Sequence, residues 1–328
     1  MPNLLLTDYC NRNCPYCFAN EKVVHTQKKD EVHRFIHMDD LETVIRYLKK
    51  SGLDLASLLG GEPTLHPEFN AILNRFLDEG FRLRIFTNGL IPEKHLRYLA
   101  SKVREKNYKI DIILNINHPT LTSADEWRRI EIAFQNLTES VTLSYNIYDR
   151  HTDFDFLVDV IHRYRLNKNI RFGLAQPIAG ANNQYLDVAA YPEIGEKIAI
   201  FSEKCDQYNI AIGLDCGFVL CMFNEKQIGK LIVNNTAFSI LCGSIIDIGP
   251  DLTVWRCFPL SKEHNVKLTE FEDEKQLKAH YDAVYKPYRR FGMMDACFDC
   301  KYLLRGQCTG GCIAHKTKRF QGMKSHDA

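Results

Sequence analysis

"DYCNRNCPYCFAN", residues 8–20, places Cys10, Cys14 and Cys17 within eight positions, just after the apolar run Leu4 to Leu6. A structural zinc ion asks for four protein ligands in a closed tetrahedron, whereas three ligands leave one position open for exogenous chemistry. No fourth cysteine follows until Cys205. A four-iron cluster held by three thiolates keeps one iron free, so the stretch reads as a loop carrying a catalytic iron–sulfur cluster.

The rest of the composition agrees with a large cytoplasmic enzyme. The chain has 328 residues, enough for a barrel plus a smaller module. Lys and Arg total 42 against 41 Asp and Glu, so no global basic field exists to hold a nucleic-acid backbone. No run approaches the ~18 apolar residues of a membrane span, and no signal peptide is evident. A cytoplasmic location and neither nucleic acid nor membrane as partner are expected. Twelve cysteines in such a chain point to metal ligation, because disulfide scaffolds belong to short secreted domains.

Working outward, residues 1–210 alternate strand-like and helix-like runs, the pattern of parallel βα units. Strands are expected at 3–7, 54–60, 82–88, 110–117, 141–147 and 170–176. Asp39 is placed to cap a first helix with Glu42 at its third position, and Gly52 to end it. Pro67 stands near the start of the next, whose apolar face is Phe69, Ile72, Leu73 and Phe76. Further apolar stripes run through Trp127–Leu137, Phe154–Ile161 and Ile194–Cys205, and Cys205 reads as a core thiol. From about residue 211 the strands shorten and the cysteines crowd. Residues 211–328 read as a loop-rich module held by metal, with one helix at 274–286 and a polar tail after Cys312 that frays.

Three motifs in order resemble the radical S-adenosylmethionine (SAM) enzymes. The CxxxCxxC loop after the first strand is followed by "GGEP" (60–63) after the second and "TNG" (87–89) after the third. The resemblance implies an α/β fold, a partial (β/α)6 barrel of TIM type, with Cys10, Cys14 and Cys17 on a [4Fe–4S] cluster and Tyr16 near the adenine. It implies that Gly60, Gly61, Glu62 and Pro63 contact the methionyl amine, which suits glycines that admit close backbone approach and a carboxylate facing an ammonium. Thr87 and Asn88 end the third strand. Asn115 and Asn117 fall where the family more often has Ser and Asp. Ser144 and Asn146 end the fifth strand, where contacts to the cofactor carboxylate and ribose are expected, and Gln176 ends the sixth.

The later cysteines resemble the SPASM module, which binds one or two auxiliary [4Fe–4S] clusters. "CGSIIDIGPDLTVWRC" (242–257) is similar to its first half and "CFDCKYLLRGQCTGGC" (297–312) to its second. This chain departs from the pattern: Leu252 replaces the usual glycine, seven residues rather than five separate Cys300 from Cys308, and no cysteine follows Cys312. Setting aside Cys10, Cys14, Cys17 and Cys205 leaves Cys216, Cys221, Cys242, Cys257, Cys297, Cys300, Cys308 and Cys312. Two four-cysteine clusters would use all eight. The alternatives are a free substrate-facing thiol at Cys216 or Cys221, and a zinc ribbon of Cys297, Cys300, Cys308 and Cys312.

The resemblance implies that an electron, from a donor such as flavodoxin or ferredoxin, cleaves S-adenosylmethionine to a 5′-deoxyadenosyl radical that abstracts hydrogen from substrate. A peptide or protein substrate leads, as for a maturase of ribosomally made peptides that forms crosslinks, epimers, oxidised residues or thioethers. The expected lack of an N-terminal peptide-recognition domain leaves recognition to a partner protein or to the barrel mouth. Phe258, where the sulfatase-maturing branch has aspartate, weighs against that branch. Asp215 is a candidate acid or base, or else a solvated strand-end carboxylate. The alternatives are a twitch-type enzyme acting on a sugar or cofactor precursor and a non-catalytic iron–sulfur electron carrier.

Overall fold

The computed structural model describes residues 2–25, 34–105, 107–234, 236–238, 241–243 and 245–321. The six expected strands are present as β1 (Pro2–Leu5), β2 (Leu55–Leu59), β3 (Arg82–Thr87), β4 (Ile110–Asn115), β5 (Val141–Ile147) and β6 (Asn169–Leu174). The sheet does not stop there. β7 (Ala211–Leu214) and β8 (Ala237–Phe238) continue it beyond β6, while β9 (Ile246–Ile248), β10 (Thr253–Trp255) and β11 (Val266–Lys267) are added on the other side of β1. The order is β8-β7-β6-β5-β4-β3-β2-β1-β9-β10-β11, parallel from β8 to β9 and antiparallel in the final hairpin. Residues after 210 therefore extend the barrel sheet at both edges, with Ala211 paired to Asn169 and Ile246 to Pro2.

Helices α1 (Met38–Lys50), α2 (Phe69–Asp78), α3 (Glu93–Arg104), α4 (Ala124–Leu137), α5 (Asp155–Tyr164), α6 (Tyr191–Gln207) and α7 (Glu225–Val233) connect successive parallel strands. Strand alternation sets the layers. In β5, Val141, Leu143, Tyr145 and Ile147 are buried in the main apolar core, leaving Ser144 and Asn146 to the opposite, inner face. The expected stripes bury as read, Phe69, Ile72, Leu73 and Phe76 being fully covered on α2 at roughly 1.5–3 kcal/mol each. Cys205 is likewise core, 1% exposed.

Some local expectations shift. The N-cap of α1 is His37, not Asp39, which lies in the first turn where a carboxylate favours the helix dipole. Glu42 is drawn away to Arg75 of α2 (Nη2–Oε2 2.8 Å). Gly52 does follow the helix, at φ 69°. α3, whose apolar pattern is too sparse to predict a helix, buries His95, Leu96, Leu99 and Ala100. α8 (Glu274–Tyr285) stands where expected, capped by Asp273. After the single turn α9 (Lys301–Leu304), the polar tail forms helix α10 (Ile313–Gln321), anchored because Ile313, Ala314, Lys316 and Thr317 are buried. No helix among the described residues is long and apolar enough to cross a membrane.

Candidate active site

β1 feeds the cysteine loop into the mouth of the partial barrel. Buried Asp8 accepts from Arg34 N and Nε, both at 2.8 Å, and Tyr9–Cys10 pairs with Val24–His25 in a two-residue parallel ladder. Cys17 N donates to Cys14 O at 3.0 Å, closing a tight turn. Leu5, Ala19, Leu59, Trp255 and Phe258 pack with Cys10 in a small separate apolar cluster, so residues from β10 and just beyond wall the loop. Cys10, Cys14 and Cys17 line one cavity of about 430 Å³. Burial pushes all three thiols up, Cys17 to about 12. Without metal they keep their protons, and iron would supply the positive charge that draws those protons off.

The second motif works through its backbone. Gly61 N donates to Thr7 O at 2.9 Å and Glu62 N to Tyr9 O at 2.8 Å. A Cβ on Gly61 would stand 2.3 Å from Tyr9 O, so only glycine lets the two loops lie this close. Gly60 and Gly61 line the cavity. The Glu62 side chain is fully buried and points elsewhere. Its Oε1 accepts from Thr64 N (3.2 Å), Thr64 Oγ1 (2.6 Å) and Thr87 Oγ1 (2.9 Å), and its Oε2 from Asn88 N (2.7 Å). Burial raises its carboxyl while these donors lower it. Glu62 thus fastens GGEP to TNG, and Pro63 opens the short turn Pro63–Leu65. Asn88 then donates its amide to Asn11 Oδ1 (2.9 Å) and to Cys10 Sγ (3.8 Å).

The remaining expected residues divide. Tyr16 lines the cavity, stacks on Tyr148 at 4.7 Å and 24°, and hydrogen-bonds Asn117 through its hydroxyl. Asn117 itself stands behind Tyr16 rather than on the cavity wall. Thr87, Asn88, Asn115, Asn146 and Gln176 are on the wall. Asn115 Oδ1 and Gln176 Oε1 are buried with no partner. A buried acceptor left unsatisfied costs about 1–3 kcal/mol, which a bound polar ligand would offset. Ser144 is occupied: it accepts from Arg171 Nη1 at 2.8 Å, and Arg171 in turn pairs with Asp215. Asp215 lines the cavity as the counter-charge of Arg171.

The later cysteines fall into two sets. Cys216, Cys242, Cys257 and Cys312 line the same cavity as the CxxxCxxC loop. Cys216 and Cys242 lie within hydrogen-bonding reach, which raises Cys216 and lowers Cys242, the latter aided by Arg256. Arg256 is 1% exposed and donates to Cys242 O (3.2 Å), Gly243 O (2.8 Å) and Cys242 Sγ (3.6 Å). Cys221, Cys297, Cys300 and Cys308 line a separate recess. Among the described residues no three His, Cys, Asp or Glu side chains converge on a point one metal ion could fill; the cysteines of each set face a shared space. Leu252, at the usual glycine position, has φ 59°, the left-handed conformation that glycine adopts without strain.

Residues 4–148 match the Radical SAM superfamily, and the match spans all three motifs. This stretch is a radical SAM domain. Such domains use S-adenosylmethionine and a [4Fe–4S] cluster, which fits a three-cysteine loop opening on a cavity with orphaned polar acceptors. Among curated proteins, an S-adenosylmethionine-dependent nucleotide dehydratase of Selenomonas ruminantium is 32% identical over 151 residues, 44% of this chain and 51% of that protein. A GTP 3′,8-cyclase of Mannheimia succiniciproducens is 25% identical over 46% of this chain and 47% of its own. The chain thus spans about half the length of the curated relatives it matches. Among solved structures, Streptococcus suis SuiB bound to S-adenosylmethionine superposes with TM-score 0.67 at 16% identity, over 97% of this chain and 73% of SuiB. SuiB has also been solved with its precursor peptide SuiA.

The same cavity also holds residues that the sequence does not single out. Arg84 and Phe86 on β3, Arg171 on β6, and Asp247 on β9, which accepts from Asn3 Nδ2 at 2.7 Å, all line it. Their signal was period-two alternation: Arg84 sits between buried Leu83 and Ile85, and Arg171 between buried Ile170 and Phe172, so both face inward.

Proposed function

We propose that this protein is a radical SAM enzyme that abstracts hydrogen from a peptide or protein, with residues 211–328 serving as a SPASM-like auxiliary iron–sulfur module. The observation that carries this reading is the single cavity with the CxxxCxxC loop at one end and Cys216, Cys242, Cys257 and Cys312 at the other. When bound, the cluster and S-adenosylmethionine supply a 5′-deoxyadenosyl radical. The chain does the rest. Cys10, Cys14 and Cys17 would hold the open-iron cluster, and Asn115 and Gln176 would receive polar groups of the cofactor. The Gly60–Gly61 backbone admits close approach, Tyr16 and Phe86 offer aromatic faces, and the wall of Trp255 and Phe258 keeps water from the loop. Likeness in fold over nearly the whole chain to a protein solved with a peptide supports the substrate class.

A second reading, a small phosphorylated substrate such as a nucleotide, draws on the curated relatives and on the inward-facing Arg84 and Arg171. One experiment separates the two. Anaerobically reconstituted, reduced protein is incubated with S-adenosylmethionine and either peptides or nucleoside triphosphates, and products are scored by mass spectrometry. Release of 5′-deoxyadenosine that the Cys10/Cys14/Cys17→Ala variant lacks is expected, with a mass change on a peptide. Conversion of a triphosphate instead would reject the peptide reading, and cleavage surviving the triple substitution would reject the assignment altogether.

A further inference from the structure

Cys216 and Cys221 sit five residues apart in the loop between β7 and α7, yet they face different spaces. Cys216 lines the main cavity, whereas Cys221 lines the recess that also contains Cys297, Cys300 and Cys308. The divergence is built into the loop. Gly217, at φ 106°, reverses the chain immediately after Cys216, in a conformation a side chain would strain. Phe218 and Val219 are then buried, and Leu220–Met222 forms a single 3₁₀ turn that presents Cys221 outward. Helix α6 fixes the turn from behind: a Cβ on Gly195 would stand 2.0 Å from Met222 O.

The opposite wall is equally fixed. Gly292 backs onto Cys297, where a Cβ would lie 1.9 Å from that of the cysteine. Gly310 N donates to Cys308 Sγ at 3.3 Å, the amide-to-sulfur contact that supports a ligating thiolate. Lys301, directly after Cys300, pairs with Glu225 at the start of α7 (2.6 Å), and so ties the CxxC segment to the loop that carries Cys221.

We propose that Cys221, supplied by the loop between β7 and α7, is the fourth ligand of a [4Fe–4S] cluster whose other ligands are Cys297, Cys300 and Cys308. Cys216 belongs instead with Cys242, Cys257 and Cys312. The proposal rests on reading 211–328 as an iron–sulfur module and assigns its ligand pairing. Assembly converts four thiols to thiolates with loss of four protons and needs no change of oxidation state in the protein. It also makes the second cluster a tie between the β7–α7 loop and the C-terminal segment.

The test uses the full chain in a Cys10/Cys14/Cys17→Ala background, which leaves only the auxiliary sites. Two four-iron clusters predict about eight irons per chain. Adding Cys221→Ala should lower iron by one to four and, on mild oxidation, yield a three-iron signal in electron paramagnetic resonance. Cys221→Ala should cost little more when Cys297→Ala is present but should add fully to Cys257→Ala, because only the first pair shares a cluster. A second readout uses the unsubstituted protein. Cys221 is exposed, so alkylation followed by peptide mapping should label it in protein stripped of iron with a chelator and spare it after reconstitution. Continued labelling of Cys221 in fully loaded protein, or unchanged iron and spectra in Cys221→Ala while Cys297→Ala loses iron, would overturn the pairing and leave the module intact. Iron unaffected by Cys297→Ala, Cys300→Ala and Cys308→Ala alike would remove the second cluster itself.

Discussion

Replacing Gly61 by alanine should empty the cluster site proposed at Cys10, Cys14 and Cys17 while leaving the fold in place. A Cβ there would stand 2.3 Å from Tyr9 O, 2.4 Å from Tyr9 C and 2.8 Å from Cys10 N, all backbone atoms that cannot swing aside. Bringing the nearest contact to the 3.0–3.4 Å that tight Cβ contacts show moves the two loops apart by about 0.7–1.1 Å. Overpacking of this kind costs about 1–3 kcal/mol, which a domain of this size survives. Metal ligands tolerate only about 0.2 Å, however, and Cys10 is the next residue along. Anaerobically reconstituted Gly61→Ala should therefore lose about four of roughly twelve irons per chain and release no 5′-deoxyadenosine. Its circular dichroism should match the parent. Retention of the parent's iron content and cofactor cleavage would refute the reasoning, because it would mean that the loops are not locked through Gly61.

Other substitutions follow from the same contacts. Glu62→Gln turns an amide donor toward either Asn88 N or Thr64 N and loses charge-assisted bonds, so urea unfolding should show a loss of about 2–4 kcal/mol. Asp247 is buried, which pushes its carboxyl up to about 7, chiefly by desolvation. Because its folded pKa lies above the unfolded one, its contribution is complete below about pH 4 and falls as pH rises to about 7, by up to roughly 4 kcal/mol. Asp247→Asn should accordingly be more stabilising at pH 8 than at pH 5 when unfolding is compared at the two values. Gly229 lies on the exposed face of α7 with nothing within 4 Å of a Cβ, so Gly229→Ala should stabilise by about 0.5–1 kcal/mol in thermal melts and leave iron content unchanged.

The six strands were legible because each carries a short apolar run followed within a few residues by a polar residue or a glycine. β7 and β8 were not, since strands of four and two residues offer too little alternation to separate from loop. α3 escaped because Lys and Arg occupy positions between its few apolar residues, and its face is completed by His95 and Ala100, which carry little hydrophobic signal. The cysteine inventory could be counted from sequence, but its pairing could not, since Cys216 and Cys221 are neighbours along the chain and face opposite spaces. Glu62 shows a different limit. Its residue type suits an ammonium, yet two threonine hydroxyls and two backbone amides already surround it, and half of those contacts, from Thr87 and Asn88, come from a loop 25 and 26 residues away. Leu252 held a clue in plain view: a position where glycine is usual asks for a left-handed backbone, and the leucine adopts it.

The seat of β1 between β2 and β9 has a consequence for the order in which the molecule comes together. Asn3 and Asp247, hydrogen-bonded neighbours in the finished sheet, are 244 residues apart in the chain. At about 5–20 residues per second, ribosomes need roughly 10–50 s to make that span. Throughout that interval β1 can pair with β2 but presents its other edge bare, with Leu4 and Leu5 beside it, to any strand that passes. Contacts so distant in sequence close slowly, and this one cannot close before the β9 segment emerges. The cysteine loop that β1 carries is thus translated early but gains its Trp255 and Phe258 wall late, which would hold cluster insertion back until near the end of synthesis.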